Sequence, residues 1–216
     1  MTTKRRFIPV SRKPFVWLDT ETTGLDPDKN EVLSIAIVRP KDDGSEIVYE
    51  RKLKMERPEN AHPKALEVNG YTDEAWADAM PQEACWREIA DLQLLSECIV
   101  AGQNVRFDAG FLNASFKRHG INYRMDYHLY DTVTVALLVL KPYVSSVSLV
   151  STAVALGIPV VEAHTALGDV RLCQQVDSHC REILNNGEHL HSHFGPQVLE
   201  RIAAWKDAGR PNTWTP

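Results

Sequence analysis

The chain of 216 residues is the size of one domain with a modest addition, and 44% hydrophobic with 25% charged residues is ordinary globular composition, neither disordered nor fibrous. The balance of 24 Lys and Arg against 29 Asp and Glu gives a net charge of −5, which argues against a nucleic-acid binder held by bulk charge alone. Four cysteines are too few for a stapled secreted scaffold and lie inside predicted helices and strands. A reducing, cytoplasmic setting is the expectation.

The apolar stretch behind Lys4-Arg5-Arg6 is too short for an export signal. The apolar region 132–161 is cut at Lys141-Pro142 into pieces shorter than the roughly 18 to 20 residues needed to span a bilayer, so no membrane association is expected.

Taken in chain order, residues 1–13 form a basic arm. Pro14 to Leu18 then reads as a central strand whose polar end, Asp19-Thr20, emerges from the core. Runs at 32–38 and 46–53 flank Asp43-Gly44, a strong hairpin signal. From Asp73 the spacing becomes helical through Trp76, Trp86, Ile89 and Leu95, punctuated by Pro81. Residues 99–101 predict a buried strand and 108–119 a helix closed by Gly120. A short strand at 129–131 precedes helices at 132–140, 148–156 and 165–184. A hairpin followed by alternating helices and strands implies an α/β sheet covered by helices, with ligands at the strand ends. A single α/β domain over 14–184 would leave 185–216 as a C-terminal extension without an evident role. Its histidines, close to Cys173 and Cys180, match no standard zinc spacing and read as a solvated loop.

Three acidic elements stand out. Asp19 and Glu21 are two apart at a strand end, so period-two alternation puts both carboxylates on one face. An acidic turn is the plainer reading of that pair alone, although Thr22, Thr23 and Gly24 leave room for a ligand near the backbone. Asp108 falls near a helix N-terminus, where a carboxylate also suits the helix dipole. His164 lies in the loop before the last long helix, and Asp169 in that helix's first turns.

Together, Asp-Thr-Glu-Thr-Thr-Gly (19–24), Asn-Val-Arg-Phe-Asp (104–108) and His-Thr-Ala-Leu-Gly-Asp (164–169) resemble the three motifs of the DEDDh exonuclease family, over about residues 14–182. The resemblance implies a ribonuclease H-like fold, a five-stranded mixed sheet flanked by helices. It also implies 3′-to-5′ hydrolysis of nucleic acid with a free 3′ end, single-stranded DNA first and RNA second, releasing nucleoside 5′-monophosphates. Asp19, Glu21 and Asp169 would hold one divalent cation, Asp19 and Asp108 a second, and His164 would be the general base. Imidazole, with an ordinary pKa of about 6.5, suits proton removal near neutral pH.

Four carboxylates in one pocket cannot all stay ionised without counter-charge, and an all-oxygen set favours Mg²⁺ or Mn²⁺. Two such dications would bring the net charge from −5 to −1, so bulk charge is no evidence against a nucleic-acid substrate. By the same resemblance Thr22, Gly24, Leu25, Asn69, Asn104 and Phe107 would contact the terminal nucleotides, and Asp131 would play a supporting part. Arg106, Lys117 and Arg118 could guide a backbone or merely solvate a helix face.

Two other classes fit parts of the pattern. A non-catalytic binding module would have no need of the acidic set. An aspartyl-phosphate phosphatase needs a second Asp where this chain has Glu21.

Overall fold

The computed structural model describes residues 8–161, 165–185 and 195–208. Its centre is a five-stranded mixed sheet in the order β3-β2-β1-β4-β5. Strands β1 (Phe15–Thr22), β2 (Val32–Pro40) and β3 (Glu46–Lys52) form an antiparallel meander. Strands β4 (Ile99–Gly102) and β5 (Leu129–Asp131) join the other side of β1 in parallel. The expected mixed sheet is therefore present, with β1 at its middle.

Alternation along β1 and β2 builds a core on each face. Val16, Leu18, Ile35 and Ile37 point toward α2 (Gln82–Asp91) and α3 (Val105–Arg118), where Trp86, Ile89, Phe111, Leu112 and Phe116 bury against them. Trp17, Ala36 and Val38 point the other way, toward Ala166, Val170 and Cys173 of α6 (Ala166–Asn185). A second helical layer closes around α4 (Thr132–Leu140) and α5 (Leu149–Leu156), with Val139, Leu156 and Val176 buried. The capping signals act as read: Ser148 accepts from the Ser151 N–H, and Gly157 closes α5 with φ +75°.

Three local differences have physical causes. No helix forms over 73–78, because the Trp76 indole N–H donates to the Leu33 carbonyl (3.0 Å) and fixes a run of turns. Leu33 is the extra residue where the β1–β2 register slips beside Glu21, and the Leu53 N–H also satisfies its carbonyl. Helix α3 starts at Val105, earlier than expected, because Asn104 takes the left-handed conformation (φ +55°) and turns the chain directly out of β4. The short α1 (Pro63–Val68) was not expected; six residues are too few for periodicity to register.

Within the stretch read as an extension, α7 (Gly195–Asp207) packs against the α5–α6 layer. Val198 is fully buried and Arg201 donates to the Ala155 carbonyl (3.3 Å). At the arm, Lys13 pairs with Asp126 rather than facing solvent as a free cation. No helix among the described residues is long and apolar enough to cross a membrane.

Gly102 sets the spacing between β4 and β1. A Cβ there would lie 2.5 Å from the Leu18 carbonyl oxygen, a backbone atom that cannot step aside. Gly102→Ala is expected to cost about 2 kcal/mol or more, read as a lower urea midpoint at unchanged slope.

Candidate active site

Strand β1 carries its polar residues past the point where β4 ends. Pairing of β1 with β4 stops at Trp17↔Ala101, so Asp19 to Thr22 are flanked on that side by the β4–α3 turn rather than by a strand. Asp19 and Glu21 share the face of Trp17, which is the face of α6. There Asp169 lies in the first turn of α6, begun by Thr165, whose hydroxyl accepts from the Gly168 N–H (3.1 Å). Ligand atoms of Asp19, Glu21 and Asp169 lie within 4.8 Å of one another. Sequence separation of about 150 residues is thus closed into one acidic cluster.

Asp108 approaches from the opposite face of the sheet. Its carboxylate, 2% exposed, accepts the Thr20 hydroxyl at 2.7 Å. The electrostatics bind the two sides together. Burial, then Asp108, Asp169 and Glu21 in that order, drive the Asp19 carboxyl well above its usual range. Burial and Asp169 push Glu21 up to about 7. Burial likewise takes Asp108 to about 7, with the Thr20 hydroxyl pulling the other way. Carboxyls driven toward protonation by desolvation and like charge are groups that a hard dication would return to the ionised state. The donor set fits such an ion.

The residues expected around the cluster occupy distinct positions. Thr22 is buried and donates its hydroxyl to the Gly24 carbonyl (2.7 Å), a local turn bond. Gly24 is required by packing, since a Cβ would overlap the Asn30 amide, itself held by the Asp26 N–H and the Asn60 carbonyl. Leu25 is 64% exposed beside that turn. Asn69, at the end of α1, donates to the Thr22 carbonyl (2.9 Å), which brings its loop against the acidic strand. Asn104 is exposed at the start of α3, and its N–H donates to Asp131. Phe107 is half-buried with its ring 4.8 Å from that of Phe111. His164 lies outside the described residues.

Several supports had no distinct sequence signal. Glu31 is buried and accepts the Glu56 and Arg57 N–H groups and the Arg57 side chain. Arg57 and Arg118 also donate to the carbonyls of Asn30 and, for Arg118, Pro27. Arg118 therefore staples the loop after Gly24. Asp131 accepts both the Asn104 and Val133 N–H groups at 2.9 Å, fixing the α3 turn to the start of α4. That is the supporting part expected of it.

An acidic cluster at the end of the central strand of such a sheet is a donor set suited to a divalent cation. The exonuclease family model of the ribonuclease T type matches residues 16–176. The chain belongs to that exonuclease family, within the DEDD group of 3′-to-5′ exonucleases, which are hydrolases.

A PolC-type DNA polymerase III of Thermotoga maritima is 34% identical over 163 residues, covering 75% of this chain and 11% of the polymerase. The chain thus spans about a tenth of the length of the curated relatives it matches. Among solved structures, E. coli exonuclease I in complex with a dT13 oligonucleotide aligns with a TM-score of 0.65 at 22% identity. That alignment covers 85% of this chain and 45% of the other. Exonuclease I from Methylocaldum szegediense gives 0.63 at 23% identity, covering 88% and 42%. These likenesses establish the ribonuclease H-like fold.

Proposed function

We propose that this protein hydrolyses phosphodiester bonds at the 3′ ends of nucleic acid, single-stranded DNA first, releasing nucleoside 5′-monophosphates. The convergence of Asp19, Glu21 and Asp169, with Asp108 closing the set from the other face, is the observation that carries the reading. The similarity to a DNA polymerase supports DNA as the substrate class, and a neighbour crystallised with dT13 supports a single strand. RNA remains the second substrate, since discrimination turns on contacts to the 2′-hydroxyl.

In this reading Asp19, Glu21 and Asp169 hold one divalent cation, and Asp19 with Asp108 a second, either Mg²⁺ or Mn²⁺. Bound there, such ions supply Lewis-acid polarisation and charge neutralisation for in-line displacement at phosphorus. The protein's own groups do the rest. His164 takes the proton of the attacking water. Exposed Leu25 wedges between the last two bases, while Thr22, the Gly24 backbone and Asn69 line the terminal sugar and phosphate. Asn104 and Phe107 face the scissile end, Phe107 by stacking. Four buried cysteine thiols fit a reducing, cytoplasmic setting.

The test is a digestion series with 5′-labelled single-stranded DNA, RNA and duplexes with 3′ overhangs. A ladder shortening from the 3′ end, stopped by chelation and by His164→Ala, is expected. Digestion from the 5′ end, or a rate indifferent to chelation and to His164→Ala, overturns the proposal.

A further inference from the structure

Thr20 lies between two of the acidic residues yet has no task in the reaction as proposed. Alternation turns it away from Asp19 and Glu21, onto the face of Leu18, Ile35 and α3. There its hydroxyl donates to Oδ1 of Asp108 at 2.7 Å, across 88 residues of sequence. Thr20 is 7% and Asp108 2% exposed, so solvent has little access to replace that donor. The backbone is fixed on both sides of the contact. Gly102 lets β4 lie against the Leu18 carbonyl, Asn104 turns the chain, and Asp131 holds the Asn104 N–H. With the backbone fixed, the Asp108 side chain keeps two torsions, and a hydroxyl donor on one of its oxygens favours one orientation of the carboxylate.

We propose that Thr20 is a positioning residue: through its hydroxyl it orients Asp108 for the divalent cation that Asp108 shares with Asp19. The proposal rests on the two-cation reading above. Hydrogen bonds of this kind behind a metal-ligating carboxylate are worth about ten- to a hundredfold in metal affinity or activity. Thr20→Val keeps the shape and removes the donor, whereas Thr20→Ser keeps the donor.

The experiment is calorimetric titration of the full chain with Mn²⁺ alone, in parallel with oligonucleotide kinetics, on wild type, Thr20→Val, Thr20→Ser, Asp108→Asn and the Thr20→Val/Asp108→Asn double variant. Thr20→Val is expected to weaken one Mn²⁺ by at least about tenfold and to lower kcat with KM for the oligonucleotide unchanged. Thr20→Ser should recover most of both. The double variant should bind Mn²⁺ no more weakly than Asp108→Asn, because Thr20 acts only through Asp108.

Wild-type affinity in Thr20→Val, or full additivity in the double variant, sinks the role of Thr20 while leaving the exonuclease reading intact. Failure of the wild type itself to take up Mn²⁺ removes both. Should Thr20→Val not fold by circular dichroism, Thr20→Ala, which removes the donor with a smaller side chain, is the probe, with the same expected loss and the same overturning result.

Discussion

Asp169→Asn is expected to lower kcat/KM on a 3′-ended oligonucleotide by about a thousandfold or more in Mg²⁺, while the metal-free variant melts higher than the parent at pH 8. The first effect follows from losing one of three carboxylates whose oxygens lie within 4.8 Å. Several kcal/mol of charge stabilisation in the transition state depend on that set, and each 1.4 kcal/mol is about tenfold in rate. The second effect has the opposite sign because Asp169 is the charge that, after burial, most raises Glu21, and it also raises Asp19. Neutralising it relieves repulsion in the fold without metal. A variant that is both inactive and more stable separates a catalytic group from a structural one. An Asp169→Asn protein with the parent's rate would exclude the site as drawn.

The stability of the metal-free protein should fall as pH rises from about 4.5 to 7, and divalent cations should reverse that loss. Glu21 has a folded-state pKa near 7 against an unfolded value of 4.5, and Asp108 rises from 3.8 to about 7. The native state therefore binds more protons than the unfolded chain in this window, so unfolding free energy declines with pH. The loss is absent below the unfolded values and complete above about 7. For Glu21 alone it is on the order of 3 kcal/mol, at about 1.4 kcal/mol per pH unit. In a chain of this size that lowers the melting temperature by roughly 5 to 10 °C.

Asp126 works in the other direction, and only in acid. Against the cost of its burial, the hydrogen bond from Lys13 and those from His128 hold its carboxyl below the usual range, so its contribution is lost as pH drops below about 4. Millimolar Mn²⁺ at pH 8 should restore stability by about 3 kcal/mol at a hundredfold excess over its dissociation constant, and by little at pH 5, where the carboxyls are protonated. Scanning calorimetry at pH 5 and pH 8, with and without Mn²⁺, checks both. A melting temperature that climbs from pH 5 to pH 8 in the absence of metal would contradict the burial and repulsion described for the cluster.

Much of this molecule is written in local sequence. Alternation alone puts Asp19 and Glu21 on one face of β1, because successive strand side chains must point to opposite sides. Ser148 and Gly157 mark the ends of α5 because each satisfies a backbone group or a backbone angle within its own turn. The acidic motifs, spaced in order along the chain, are enough to point to the family and to single out candidate ligands.

What local spacing cannot encode is which distant groups meet. Trp76 lies at helical spacing yet answers to the Leu33 carbonyl, 43 residues away. Arg57 and Arg118 look like solvated cations until the loop after Gly24 supplies the carbonyls they hold. Alternation assigns Thr20 its face, but only the parallel pairing of β4 beside β1, with Gly102 against Leu18, delivers Asp108 to its hydroxyl. Burial of apolar surface selects those long-range pairings, since it rewards the arrangement of whole faces rather than the order of neighbouring residues. The sequence by itself determined the chemistry available to this protein; the tertiary structure decided which carboxylates meet and which hydroxyl holds Asp108 in place.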